Sequence, residues 1–116
     1  MKFRSKLEQH VATTLTQSGV EFEYESDKVP YTLECNYNPD FKLPSGVFLE
    51  VKGYLDVDDR RKMIAVKKQN PDLDIRFVFQ YPHRKIPYLK STHAEWADKN
   101  QFLWCSYETI PESWLN

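Results

Sequence analysis

Three residues are placed for chemistry: Asp40, Glu50 and Lys52, arranged as Pro39-Asp40, nine residues, then Glu50-Val51-Lys52. Between them lies Pro44-Ser45-Gly46, which suits a three-residue hairpin loop, with Pro44 starting a type I turn and Gly46 taking the left-handed conformation that closes it. Such a loop sets Leu43 opposite Val47 and, continuing outward, Asp40 opposite Glu50. Directly opposed cross-strand side chains start about 5 Å apart, so two carboxylates there repel unless a cation neutralises them. Mg²⁺ or Mn²⁺ meets that need, because hard carboxylate oxygens bind these ions at about 2.0 to 2.2 Å, usually through one or two protein groups and several retained waters. Alternation along the strand gives Glu50 and Lys52 one face and turns Val47, Leu49 and Val51 to the other, into a core. Beside a metal, the Lys52 ammonium can orient or deprotonate an attacking water or stabilise charge on a phosphate, which predicts phosphoester hydrolysis. Spacing alone leaves an alternative open: Asp40 ends a loop, and Glu50 and Lys52 belong to a solvent-facing ladder of opposite charges.

The elements that must position these residues follow from periodicity. A helix is expected from about Ser5 to Ser18, with Leu7, Val11 and Leu15 on one face and Gly19 ending it. Val20 to Glu25 alternates, setting Val20, Phe22 and Tyr24 against Glu21, Glu23 and Glu25. Alternation resumes from Val29 to Tyr37, predicting one long extended segment with Pro30 at an edge position. Phe41 to Leu43 and Val47 to Lys52 form the hairpin. A helix from about Asp58 to Asn70 is stopped by Pro71, a strand follows at Ile75 to Gln80, Thr92-His93-Ala94-Glu95 is a capping box opening another helix, and Phe102 to Ser106 makes a last strand. This order predicts an α/β fold, a mixed sheet covered by helices.

At 116 residues the chain suits one domain, large enough to bury roughly two thirds of its unfolded surface without disulfides. Cys35 and Cys105 lie outside paired or metal-type spacing, and the polar start Met1-Lys2-Phe3-Arg4-Ser5-Lys6 has no signal-like apolar run, so a reduced, intracellular setting is expected. No stretch approaches the roughly 20 apolar residues of a membrane span. His10, His83 and His93 make no zinc pattern with the cysteines, and there is no Gly-rich phosphate loop, which removes zinc and nucleotide-cofactor chemistry. A net charge of −1 is neutral on nucleic acid. Basic groups do occur at Arg60-Arg61-Lys62 with Lys67-Lys68, and at His83-Arg84-Lys85 with Lys90, each also readable as a solvated face. Trp96, Trp104 and Trp114 are read as core rather than base-stacking platforms.

Tyr37-Asn38-Pro39-Asp40-Phe41, then Gly46-Val47-Phe48-Leu49-Glu50-Val51-Lys52-Gly53, then Asp58-Asp59-Arg60-Arg61-Lys62 resembles the phage endonuclease I family of Holliday-junction resolvases. Phe3-Arg4-Ser5-Lys6-Leu7-Glu8, Val20 to Glu25, Lys28-Val29-Pro30-Tyr31, Asn70 to Arg76 and Ile110 to Trp114 are similar to that family in the same order. The resemblance implies a restriction-endonuclease-like mixed β-sheet flanked by helices, one nuclease domain over residues 1–116. It implies metal-dependent hydrolysis of four-way (Holliday) junctions and other branched DNA by a homodimer, with Mg²⁺ as cofactor and Mn²⁺ able to substitute. Metal ligands would be Asp40, Glu50 and the Val51 backbone carbonyl, and Lys52 the active-site lysine.

Glu8 and Glu23 match two further family acids, although Ser5-x-x-Glu8 is also a capping box and Glu23 is one of three glutamates on an exposed strand face. The family further implies a swapped dimer in which residues 28–38 bridge the protomers, so that Glu8 of one chain completes the site of the other. Arg4, Arg60, Arg61, Lys62, Lys67, Arg84, Lys85 and Lys90 would then contact backbone phosphates, reading DNA shape rather than base sequence. A phage protein of this kind works in the host cytoplasm. Two alternatives stay open: a sequence-directed or transposase-associated duplex nuclease of the same fold, and a non-catalytic DNA-binding module.

Overall fold

Ser5 opens the first element by accepting the Glu8 N–H on its hydroxyl, and helix α1 runs Lys6–Gln17 until Gly19, at φ 71°, turns the chain away. The computed structural model describes residues 2–31 and 35–115, and within these not the side chains of Pro30, Tyr31 and Cys35. Among the described residues α1 is followed by β1 (Glu23–Tyr24), β2 (Val29–Tyr31), β3 (Cys35–Tyr37), β4 (Phe41–Lys42), β5 (Phe48–Lys52), α2 (Val57–Gln69), β6 (Ile75–Phe79), α3 (His93–Lys99), β7 (Leu103–Ser106) and α4 (Glu112–Leu115).

The main sheet has the order β1-β4-β5-β6-β7. β1, β4 and β5 pair antiparallel, whereas β5, β6 and β7 pair parallel, their crossovers made by α2 and α3. This is the mixed, helix-covered α/β sheet of the sequence reading. The hairpin register also agrees. Phe41 pairs with Leu49 and Lys42 with Phe48, the Leu43 N–H reaches the Val47 carbonyl at 2.9 Å, and Gly46 sits at φ 95°. One step outward sets Asp40 opposite Glu50.

Both faces of the sheet are covered. Val11, Ala12 and Leu15 of α1 and Trp114 of α4 pack with Phe41, Leu43, Leu49, Val51, Val78 and Cys105. On the other face Met63 and Val66 of α2 and Trp96 and Ala97 of α3 pack with Phe48, Phe77, Phe79 and Phe102. Trp96 and Trp114 are core, and half-buried Trp104 packs against it, as read from sequence. Glu50 and Lys52 follow Phe48 on the α2 side, so the face reserved for solvent in the simple alternation is itself roofed by a helix.

Several element ends shift by about a residue from the sequence reading, and three differences have a structural reason. α2 starts at Val57, because Asp56 and Asp59 form a reciprocal capping box ahead of it. β1 is only two residues long, its ladder confined to Glu23 opposite Lys42 and Tyr24 opposite Phe41. The segment 29–37, read as one extended run, here forms two short strands paired antiparallel, Val29 with Tyr37 and Tyr31 with Cys35. Period-two alternation reports which side chains share a face, not whether the chain continues or doubles back, so it fits both forms equally. Thr32, Leu33 and Glu34 of that run lie outside the described residues.

Candidate active site

The hairpin delivers Asp40 and Glu50 to one buried spot, 2% and 3% exposed respectively. Burial on a central strand removes the solvent-ladder alternative for Glu50. Asp40 is fixed through Oδ2, which accepts the Val51 N–H at 2.8 Å. This is a backbone amide contact to Val51, the residue whose carbonyl the family resemblance assigns to the metal. Glu50 Oε1 accepts the Tyr37 hydroxyl at 2.6 Å, and its Oε2 lies 3.5 Å from Lys52 Nζ. Lys52 is held from the other side by Asp59, at 3.2 Å, and Asp59 is fixed in turn by the α2 capping box. His93 steadies the loop between β5 and α2: its Nε2 accepts the Leu55 N–H at 3.1 Å while Nδ1 bonds to the Arg84 carbonyl at 2.8 Å.

Glu8, 5% exposed, comes to Asp40 from α1. Tyr24 donates its hydroxyl to Glu8 Oε1 at 2.6 Å, and the Arg4 backbone N–H reaches the same oxygen at 3.0 Å. The Arg4 guanidinium joins three acids: Nη2 bonds to Glu8 Oε2 at 3.0 Å and to Asp40 Oδ1, and Nε pairs with Glu25. Carboxylate oxygens of Glu8, Glu25 and Asp40 lie within 4.8 Å of one another.

The charges are not settled within the protein. Burial, then the neighbouring Glu50, pushes Asp40 from an ordinary 3.8 up to about 8, and burial also raises Glu50 against the opposing pull of Lys52 and Tyr37. Glu8 goes the other way, because hydrogen bonds from Tyr24 and within the cluster, together with the Arg4 charge, outweigh its burial. Lys52 is also partly buried, yet Glu50 and Asp59 hold its ammonium above its ordinary value. Asp40 and Glu50 thus form an all-oxygen donor set with more negative charge than its surroundings offset. That is the chemistry a hard divalent cation fits, with Glu8 within reach of Asp40 through their shared arginine.

A model of the phage endonuclease I family matches residues 1–116. Endonuclease I of Escherichia phage T7 is 39% identical over 117 aligned residues, covering 97% of this chain and 78% of that protein. The chain belongs to the phage endonuclease I family. Endodeoxyribonuclease 1 of Enterobacteria phage T3 is a second relative, 41% identical over 105 residues that cover 87% of this chain and 69% of its own. Membership makes this an endonuclease fold, and among the described residues no helix is long and apolar enough to cross a membrane.

Within this family member the structure brings Glu8, Asp40, Glu50 and Lys52 together in one chain. Glu23 is not brought to the cluster: it is exposed, opposite Lys42 on β4. The neighbouring acid that does arrive is Glu25, turned out of the strand alternation by a left-handed backbone (φ 52°) and bonded through its N–H to the Asp40 carbonyl at 3.3 Å. Arg4 lies inside the acidic site rather than on a free basic face.

The remaining basic residues divide. Arg60 is engaged with the Leu55 carbonyl at 2.7 Å, Lys62 sits over the Tyr37 ring, and Lys67 bonds to the Gln101 carbonyl and covers the Phe102 ring. Arg61, Lys85 and Lys90 are exposed, as is Arg84, which stacks on Tyr81. Sequence reasoning missed Tyr37, Glu25, Tyr24 and Asp59. Only Asp59 had a local signal, as the N3 partner of an Asp56 cap.

Proposed function

We propose that the chain is a structure-selective DNA endonuclease that hydrolyses phosphodiester bonds in four-way junctions and other branched DNA, with Mg²⁺ or Mn²⁺ held by Asp40 and Glu50. The observation that carries this reading is the buried, mutually repelling Asp40–Glu50 pair with Lys52 beside it, in a chain whose T3 relative is named an endodeoxyribonuclease. Bound there, the ion would supply an activated water and polarise the scissile phosphate. Asp40 is aimed by the Val51 amide, and Glu50 by the Tyr37 hydroxyl. Lys52, kept protonated by its two acidic neighbours, orients the attacking water and stabilises charge growing on the phosphate rather than removing a proton.

We further propose a homodimer, because resolving a nearly two-fold junction takes two opposed nicks. Support comes from the pairs Val29–Tyr37 and Tyr31–Cys35, which are centred on position 33. A straightened segment 28–38 can form those same antiparallel pairs with a second copy of itself across a two-fold axis. The swap would then place Glu8 of one chain in the site of the other at no loss of pairing.

The test compares the purified protein on a labelled four-way junction and on a linear duplex of matching sequence, in Mg²⁺ or chelator, alongside Asp40→Asn. Metal-dependent paired nicking of the junction, lost in the variant, is expected. Equal cutting of the duplex would sink the structural selectivity, and no cutting of either would leave a binding module. Co-refolding the inactive variants Glu8→Ala and Asp40→Asn tests the shared site, since a swapped heterodimer contains one intact set. Absence of recovered nicking would mean that each site is built within one chain.

A further inference from the structure

The oxygens of Glu8 and Asp40 are allotted unequally. Asp40 Oδ2 is taken by the Val51 N–H, and Glu8 Oε1 by the Tyr24 hydroxyl and the Arg4 N–H. The two that remain, Asp40 Oδ1 and Glu8 Oε2, are both bonded to the same atom, Arg4 Nη2. A cation bridging Glu8 and Asp40 would need those oxygens, and the guanidinium nitrogen stands between them. From this we infer that Arg4 is the resident counter-cation of the acidic site, and that divalent-metal binding displaces its guanidinium from Asp40 and Glu8.

The surroundings suit such an exchange. Arg4 precedes α1 rather than lying within it, and its side chain is 62% exposed, so the guanidinium can withdraw to solvent without opening the core. Its backbone stays anchored, because the Arg4 N–H bonds to Glu8 Oε1 and to the Tyr24 hydroxyl do not involve the side chain. Glu25 gives the guanidinium a third partner outside the Glu8–Asp40 pair, at Nε, which holds it in place before exchange. While metal is absent, the arginine keeps the two acids together in a site that would otherwise repel itself apart. Once released, its planar fork is free at the edge of the site to meet a phosphate oxygen, a geometry arginine binds well.

This inference rests on the proposed metal site, and its test reads metal affinity rather than cleavage. Mn²⁺ binding is measured by electron paramagnetic resonance and titration calorimetry on the parent chain, Arg4→Gln, Glu25→Gln and Asp40→Asn. Arg4→Gln is expected to bind Mn²⁺ roughly tenfold more tightly, because a competing cation has been removed. Its melting temperature in chelator should be lower and its gain on adding Mn²⁺ larger. Glu25→Gln loosens the arginine but also removes a carboxylate within 4.8 Å of Glu8 and Asp40, so its change in affinity should be smaller than that of Arg4→Gln. Unchanged or weaker binding in Arg4→Gln, with binding intact in the parent and lost in Asp40→Asn, would overturn the inference while leaving the metal site standing. No Mn²⁺ bound by the parent chain would overturn both the inference and the metal reading beneath it.

Discussion

Glu8 and Glu50 are buried carboxylates of one site, yet burial leaves them on opposite sides of their ordinary pKa. Glu50 sits on the central strand β5 under α2, where one hydroxyl and the charges of Lys52 and Lys62 do not compensate the loss of water, and its carboxyl is pushed up. Glu8 sits at the start of α1, where Tyr24, Arg4 and the cluster's own hydrogen bonds more than compensate, and its carboxyl is pulled down. Both halves have a cation beside them, Arg4 at Glu8 and Lys52 at Glu50, but only in the helix-borne half do the partners outweigh burial. Burying a carboxylate is costly unless its partners compensate, so the under-compensated half is where function is expected to have taken precedence over stability.

The largest test of this contrast is on the strand side. Asp40→Asn and Glu50→Gln should each lower metal-dependent cleavage on the order of a thousandfold, while junction binding in chelator stays within a few-fold. Cleavage retained in either would mean that the strand half does not hold the ion. Lys52→Ala should lower turnover about a hundredfold and leave Mn²⁺ binding in place, separating the ammonium's role from ligation. Normal turnover would reduce Lys52 to a partner of Glu50 and Asp59.

Tyr37→Phe sharpens the comparison further, because it strips Glu50 of its one hydroxyl donor. Leaving that buried oxygen unsatisfied should cost about 1 to 3 kcal/mol in denaturant unfolding, with a turnover loss of roughly tenfold. If both are unchanged, the 2.6 Å hydrogen bond does not position Glu50.

The last test is of pH dependence. An acid held above its ordinary value keeps its proton in the folded chain where the unfolded chain has released it. Metal-free stability should therefore fall as pH rises from 3.8 towards about 8. Glu50 acts in the same direction, whereas Glu8, lowered, contributes an opposite slope only below its ordinary value of 4.5. Melting curves in chelator should slope downward across that window, and Asp40→Asn should flatten them and melt higher at its upper end. Saturating Mg²⁺ should flatten the parent's slope as well. A parent curve that does not fall across that window would mean that Asp40 is not held above its ordinary value.

Much of the strand side could be read directly, because hairpin register is a local property. The turn Pro44-Ser45-Gly46 counts residues outward on both arms, and the count alone sets Asp40 against Glu50 and puts Lys52 on Glu50's face. Ser5, Thr92 and the 57–69 helix were legible for the same reason, since caps and periodicity act within a few residues. Glu23 and Glu25 show where local reading stops. Alternation placed both on one exposed face, and only pairing with β4 brought the backbone of Glu25 to Asp40 and left Glu23 outside the cluster.

What the sequence by itself determined is the pair of opposed acids, the lysine beside them and the mixed α/β order of elements, all set by short-range spacing. The tertiary structure alone decided that this pair is buried, because β5 becomes central only when β6 pairs with it in parallel and α2 closes over the top. It also decided the partners: Tyr37 meets Glu50 across 13 residues of chain and Arg4 meets Asp40 across 36. Contacts at such separations follow from the packing of whole elements, and no periodicity within a single element encodes them.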